Sequence, residues 1–486
     1  MITDAQYAAW LESSGAQRVT LIEVGVSSAG VNQVRYLSNK SYLNGSAATP
    51  YLAVVTGGLK LTESISLTAA PTLTAGDLEL DNTDGSLDSW LDDVWKNQRI
   101  RVYVGDVRWA RADFRQIFEG AVKDIDCAAR DKINLVIANK MELLNTAISE
   151  VTLGGAGTNA ANLLPVLVGE VHNQTPMQTN AATLEYACHV RAMKKVFEVR
   201  DLAKPVSVAK HNDTGRFNLL AKPTGTITCS VQGDAPGGIY TNRIAPLIRR
   251  FITDFGSAAV GLSEADIDET NFAAFDLANP QPVGKLLGDR ANVAQTCQSL
   301  AGSVGAQLLP SRAGLFRLVQ LTFPTTASTE IPPSAQINKT IEVSARSDVV
   351  AGVKIAYNKN YTVQTGLLTS IPPEDKVLFG QEWLVKSADD PLTKALYKIT
   401  DEPVQQETDL QVGVDAQAEA NRRLQVFKRV RTTYRFEGTP INVLLELGQA
   451  VKLYSERFGL ASGKVGLVTG LATDLFNLHT TVEVTI

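Results

Sequence analysis

Cysteine is scarce in this chain of 486 residues, with four in all, at Cys127, Cys188, Cys229 and Cys297. They stand far apart and form no CxxC pair, so the ligand spacing of a zinc site is absent. Free cysteine is among the most buried residue types, and four buried thiols are expected, with no metal and no cofactor. Histidine is equally scarce. His172, His189, His211 and His479 stand alone, without an HExxH or HxH pairing, so zinc hydrolysis has no anchor. A basic excess is missing too. The net charge is −5, whereas tight duplex binding draws its affinity from Lys and Arg on phosphates. Aromatic residues make up 7%, with five Trp, which argues against a sugar- or receptor-gripping surface. No apolar run approaches the roughly 18 residues that cross a membrane. Met1–Trp10 is polar, and Val19–Val26 is short and interrupted by Glu23. No signal peptide and no membrane anchor are therefore expected.

Catalytic motifs are also missing. Gly25-Val26-Ser27-Ser28-Ala29-Gly30 approximates GxSxG, but Ala29 stands where glycine is required, and a β-turn is the better reading. Asp81, Asp84, Asp88, Asp92 and Asp93 form an acidic cluster. With Gly85 as the calcium-loop glycine, the first ligand position falls on Leu80, so that pattern fails. A turn leading into a helix N-terminus accounts for it instead. No GxxxxGK[ST] loop exists. Arg249-Arg250 and Arg422-Arg423 are short basic pairs without interleaved aromatics, expected on solvated helix faces or at an interface. No catalytic, cofactor-binding or metal residue is assigned, and the chain is expected not to be an enzyme.

What is present is β pattern at both ends. Arg99–Val104 alternates cleanly, with Ile100, Val102 and Val104 on one face. Similar runs occur at Val19–Val26, Tyr51–Thr56, Leu73–Leu80, Phe114–Ile125 and Lys132–Ala138. Turn signals separate them at Asn44-Gly45, Gly57-Gly58, Asp84-Gly85 and Gly105-Asp106. Only Ser86–Trp95 and Asn139–Ile148 read as short helices in this part. Gly154–Thr158 reads as a flexible loop. Strands are expected next at Glu185–Val190, Lys195–Val199 and Gly225–Val231. The middle then turns helical. In Asn242–Gly256 the apolar residues Ile244, Leu247, Ile248, Phe251, Ile252 and Phe255 form one stripe. Ser263 to Asp266 resembles a capped helix start. A second helix is expected at Asn292–Val304, stopped by Gly305. A hairpin follows, Ala306–Leu309 and Leu315–Leu321. Prolines from Pro324 to Pro333 mark a boundary. Strands return at Val349–Tyr357 and Leu396–Ile399, and Asp415 is expected to cap a helix reaching about Arg429. Ile441, Val443, Leu445 and Leu447 share a strand face, followed by strands at Val451–Tyr454, Val465–Thr469 and Val482–Ile486.

The order of certain phrases carries a resemblance. Leu78–Asp88, Arg101–Asp106, Phe118–Val122 and Lys132–Asn145 come first. Val283–Leu287, Val293–Leu300, Gly305–Leu308 and Gly314–Leu318 follow. Ala418–Leu424, Leu447–Leu453, Arg457–Leu460, Gly463-Lys464 and Val468–Gly470 close the series. This resembles the central hub proteins of the tail tip or baseplate in long-tailed bacteriophages and related gene-transfer particles. The resemblance implies a mainly β fold with an α+β middle, in which two tail-tube-like antiparallel β-barrel domains flank a mixed insert. The expected domains are residues 1–150, an N-terminal tube-like barrel; 151–235, an irregular β-rich insert; 236–325, an α+β domain with two amphipathic helices and a hairpin; and 326–486, a C-terminal barrel. It implies a structural virion protein at the tail tip, assembled in the host cytoplasm. Such a hub forms a homo-oligomeric ring, expected as a trimer, that closes the sixfold tail tube. Its partners would be the distal tail protein ring, the tape-measure protein and tail-tip fibre or receptor-binding proteins. DNA would pass the channel without specific binding. Some hubs carry clustered cysteines for an iron–sulfur centre; this chain lacks that cluster, so the cofactor is not carried over. The alternatives are a sixfold distal-tail ring protein, a tail-associated cell-wall-degrading enzyme and a receptor- or sugar-binding tip protein.

Overall fold

The computed structural model describes residues 2–44, 49–66, 70–155, 159–255, 260–288, 290–367 and 369–486. The expected turn at Asn44-Gly45, the loop Gly154–Thr158 and the end of Asn242–Gly256 run partly outside them. The chain is mainly β, with antiparallel sheets and short helices. It divides into two compact units that interleave along the sequence. One comprises Met1–Leu144, Gln307–Asp348 and Val430–Ile486; the other comprises Asn145–Ala306 and Val349–Arg429. The expected stretch 326–486 is thus shared between the units, and 1–150 lies in the first as far as Leu144.

In the first unit one sheet runs in the order Val31–Ser38, Arg18–Ser28, Arg99–Asp106, Arg115–Ala129, Lys132–Asn139, Leu78–Asp81 and Val55–Gly58. All its neighbours pair antiparallel. Ile100, Val102 and Val104 point into the core, as the alternation predicts. Arg18–Ser28 is covered on both faces. Ile22, Val24 and Val26 join the main core, whereas Val19 and Leu21 join a smaller cluster with Tyr42, Tyr51 and Phe114. Among the described residues no ladder joins Val31–Ser38 to Val55–Gly58, the two ends of the sheet.

A second sheet in this unit is built largely from the chain's end. Thr329–Ile331, Ala450–Leu453, Lys464–Asp474, His479–Thr485, Thr432–Gly438 and Gln336–Arg346 follow one another across it. The first pair is parallel and the others are antiparallel. Its core holds Phe436, Val451, Leu453, Val468, Val482 and Val484. Burying each such side chain stabilises the fold by about 1.5–3 kcal/mol. An N-terminal hairpin, Lys60–Ser64 with Thr72–Ala75, also joins this sheet, pairing Gly470–Asp474 with Ser64–Lys60.

The second unit packs a five-stranded sheet against a four-stranded one. The five are Lys204–Val206, Met193–Asp201, Ile227–Asp234, Val166–Gln174 and Gly284–Leu287. The four are Met177–Asn180, Glu185–Ala187, Arg216–Leu219 and Val208–His211. Val171, Val196, Val199, Phe217 and Val231 lie in the shared core. The helices Ile244–Thr253, Glu269–Ala278 and Val293–Gly302 belong here, and Ile244, Leu247, Ile248, Phe251 and Ile252 form the expected buried stripe. Gly305 follows with φ +63, a left-handed position that favours glycine as a stop. The long helix Gly413–Phe427 packs on a three-stranded sheet of Leu384–Asp389, Gly352–Tyr357 and Gln405–Glu407. Among the described residues no helix is long and apolar enough to cross a membrane.

Several local expectations are corrected. Ser86–Trp95 and Asn139–Ile148 contain only short 3-10 segments, Asp88–Asp92 and Lys140–Leu144. Tyr51–Thr56 and Leu73–Leu80 each divide between two strands. Leu396–Ile399 is no strand, because Asp390 caps a helix Pro391–Tyr397 with proline in its first turn, and Lys398 ends it at φ +54. Asp415 lies inside the first turn of its helix, whose N-cap is Val412. Ile441–Leu447 begins with the 3-10 turn Pro440–Leu444, since Pro440 presets a helical φ; Val443, Leu445 and Leu447 are still buried.

Candidate functional site

The features singled out in the sequence fall in separate places. Ser27 sits in a strand and faces Asn32 across a hairpin whose two-residue turn is Ala29 (φ +50) and Gly30 (φ +81). Positive φ at both turn positions matches the right-handed strand twist, so the GxSxG look-alike is a hairpin turn. The acidic cluster is a local hydrogen-bonded turn. Asp81 accepts from the Thr83 amide and hydroxyl at 3.0 and 2.6 Å, and Asp84 accepts from the Ser86 amide at 2.9 Å. These bonds hold both carboxyls below the usual carboxylate range. Asn82 donates to Asp88 at 2.7 Å, and Asp93 pairs with Arg35 at 2.9 Å. Among the described residues no three His, Cys, Asp or Glu groups are placed to hold a metal ion.

Of the basic pairs, Arg249 lies on a solvated helix face as expected, whereas Arg250, Arg422 and Arg423 turn toward buried carboxylates. Arg422 and Arg423 both grip Glu419, and Arg423 also donates to the Gly302 carbonyl at 2.6 Å. Arg249 pairs with Glu264 and Glu269. Arg250 reaches Asp234 at 2.8 Å. Cys188, Cys229 and Cys297 are buried as expected, but Cys127 is exposed on an outer stretch of its strand, which corrects the reading of four buried thiols.

The buried polar centre of the second unit is built on Asp234, the last residue of its strand. Arg191 donates to both carboxylate oxygens, at 2.7 and 3.1 Å, and Arg250 adds a third contact from the helix Ile244–Thr253. His189 Nε2 lies 3.2 Å from Asp234 Oδ1, while its Nδ1 accepts the Leu167 amide at 3.0 Å. That second bond sets the tautomer: Nδ1 is the acceptor and Nε2–H the donor. Burial pushes the Asp234 carboxyl up, but bonds and charge from His189 and Arg191 outweigh it and hold it well below the carboxylate range. Burial pushes the His189 imidazole down against the opposing pull of Asp234. An Asp–His pair serves a nucleophile only when the far nitrogen faces one. Here that nitrogen is spent on backbone, so the group clamps together a helix, two strands and the bend that carries His189 and Arg191. His189 and Asp234 are 45 positions apart, and no local sequence signal joins them.

In the first unit the corresponding centre is Glu119. Lys140 Nζ lies 2.8 Å from Glu119 Oε1, and Arg101 Nε lies 3.1 Å from Oε2. Arg99 approaches at 3.4 Å. Lys140 is 1% exposed and also donates to the Gly314 carbonyl at 2.5 Å, which ties the hairpin loop after Ala306–Pro310 to the N-terminal sheet.

Among the described residues each unit carries a cleft of about 400 Å³. In the second unit His172, Arg200 and Phe379 line the wall, with Glu170 paired to His172 at 3.1 Å and Glu198 to Arg200 at 2.8 Å. Glu198 and Arg200 therefore offset each other's charge within the cleft. Apolar side chains left in solvent are the more informative feature. Leu392 and Leu396, one turn apart on Pro391–Tyr397, are 83% and 76% exposed, and Val404 is 82% exposed. In the first unit the outer strand Val31–Ser38 presents Val31 and Val34 to solvent, while Tyr36 and Ser38 at its other end bond the backbone of Leu52.

No family model matches this chain, and no curated protein matches it. Solved structures do. A tail protein from Neisseria meningitidis MC58 is 8% identical, covers 96% of this chain and 96% of its own, and superposes with a TM-score of 0.41. A prophage tail protein from Listeria monocytogenes EGD-e is 10% identical over 96% of this chain and 94% of its own, with a TM-score of 0.43. A chain in the virion of a native gene transfer agent particle is 14% identical over 71% of this chain and 91% of its own, with a TM-score of 0.46.

Proposed function

We propose that this chain is a structural subunit of a phage-type tail, and within the tail the central hub that closes the tube at its tip. One observation carries the reading. The two β-rich ends of the chain each supply a sheet with its own buried core, and both belong to one compact unit. Three copies would then offer six similar sheets to a sixfold tube, which is how a trimer meets that symmetry. The phrase order from Leu78–Asp88 to Val468–Gly470 supports the same reading. So do the exposed Val31 and Val34 on the outermost strand of the sheet and the exposed Leu392 and Leu396, because sheet edges and apolar surface are covered on assembly. The side-chain centres on Asp234 and Glu119 are spent on internal contacts, which fits a mechanical role. In this role the protein sits in the virion, contacts the distal tail ring and tip proteins, and lets the tape-measure protein and DNA pass without gripping them.

Electron-microscopic class averages of the purified chain, alone and on particles, test this. A threefold ring at the end of the tube is expected. A sixfold ring would transfer the chain to the distal tail position. A monomer that never associates with particles would sink the proposal.

A further inference from the structure

Cys188 and Cys229 are 41 positions apart, yet their sulfurs lie 3.5 Å from each other. They are 0% and 2% exposed, and both are free thiols. Cys229 lies within the strand Ile227–Asp234, opposite Gln174 on one side and Val199 on the other. Gln174 Nε2 donates to its sulfur at 2.9 Å, which holds that sulfur in place. Cys188 follows the strand Glu185–Ala187 of the other sheet, and its amide donates to the Gly215 carbonyl. The two thiols therefore face each other across the core that joins the two sheets of the second unit. Their sulfurs are in van der Waals contact, roughly 1.5 Å beyond the length of a disulfide bond.

We propose that Cys188 and Cys229 are a modification site: they close into a reversible disulfide that staples the two sheets when the protein meets a small-molecule disulfide oxidant such as oxidised glutathione. The step balances. One protein thiolate attacks a glutathione sulfur and releases a glutathione thiolate. The second protein thiolate then displaces the other glutathione. Two protein thiols are oxidised, one disulfide is reduced, and two protons pass to the released thiolates or to solvent. Burial and the neighbouring Cys229 push the Cys188 thiol well above its ordinary range, so closure is slow at neutral pH and needs a brief opening of the unit. The bridge constrains the unfolded chain over the closed loop. The inference stands independently of the assembly reading.

The test uses the full chain. Because Cys127 is exposed and would react first, a Cys127→Ser protein is treated with oxidised glutathione under native conditions beside the unaltered chain. Thiols are counted in denaturant, and the mass and peptide map are recorded. Two thiols should disappear with loss of two hydrogen atoms, one linked peptide pair should join Cys188 to Cys229, and dithiothreitol should reverse it. Closure should quicken about tenfold per pH unit below the thiol pKa, since the thiolate attacks. The bridged form should melt roughly 10 °C higher. Persistence of all buried thiols, glutathione adducts without a bridge, or a bridged form that melts lower would each overturn the proposal. If the variant folds poorly, peptide mapping of the unaltered chain decides between the same outcomes.

Discussion

Glu119 accepts from one buried lysine and two more exposed arginines, and these contacts are unequal. Lys140 is almost sealed from water, whereas Arg101 is 42% exposed at its side chain. A buried charge stripped of its partner is strongly destabilising, while an exposed pair adds little. Glu119→Gln should therefore lower the unfolding free energy by about 3–5 kcal/mol, and Arg101→Gln by less than about 1 kcal/mol. Urea denaturation of both variants checks this, and equal losses would refute the ranking. The Asp234 centre makes a prediction in pH. His189 is held below its unfolded pKa, so its contribution is present above that value and fades as pH falls through it. Asp234 is also held low, so its contribution fades further down, below about pH 4. The melting temperature should fall as pH drops below about 6.5. His189→Gln keeps an acceptor for Leu167 and a donor for Asp234, so its slope between pH 7 and 5 should be shallower.

Among the elements, the hairpin Lys60–Ser64 with Thr72–Ala75 has the most unusual position. Its backbone extends the sheet made by the chain's end, yet the side chain of Leu61 lies in the core of the N-terminal sheet. Leu61→Ala should cost about 2–5 kcal/mol, and amide exchange across Gly470–Asp474 should speed up with it. If those amides are unaffected, the hairpin does not brace the two sheets. The same region explains why one strand expectation divided. Leu73–Leu80 reads as one strand, but its apolar positions change phase across Gly76-Asp77, from Leu73 and Ala75 to Leu78 and Leu80, and Thr72–Ala75 joins one sheet while Leu78–Asp81 joins the other. Alternation reports that a run is extended and half-buried; it carries no address for the sheet it joins.

Taken as a whole, the molecule keeps apolar side chains in water where a monomer gains nothing from them. Leu392 and Leu396 touch no core, so Leu392→Lys with Leu396→Lys should change folding stability by no more than about 0.5 kcal/mol. If this face is an assembly contact, the same double variant should lose self-association or incorporation into particles, read by sedimentation and by microscopy. A variant that assembles normally would remove this helix from the proposed interface.

Strand and helix character was legible where period and burial agree. Arg99–Asp106, Ile244–Thr253 and Val293–Gly302 follow from alternation or from a stripe, because those patterns reflect the geometry of the element itself. The short turns at Asp88–Asp92 and Pro440–Leu444 were not, since their buried residues mimic longer elements. The scarcity of charge clusters and motif spacing was likewise plain from composition alone. The side-chain centres were hidden. Glu119 with Lys140, His189 with Asp234, and Cys188 with Cys229 join residues that are distant in sequence and carry no shared local signal. So was the interleaving of the two units. Local sequence decides which stretches can bury one face. Only the tertiary structure decides which faces meet, because burial depends on what covers a side chain rather than on the side chain itself.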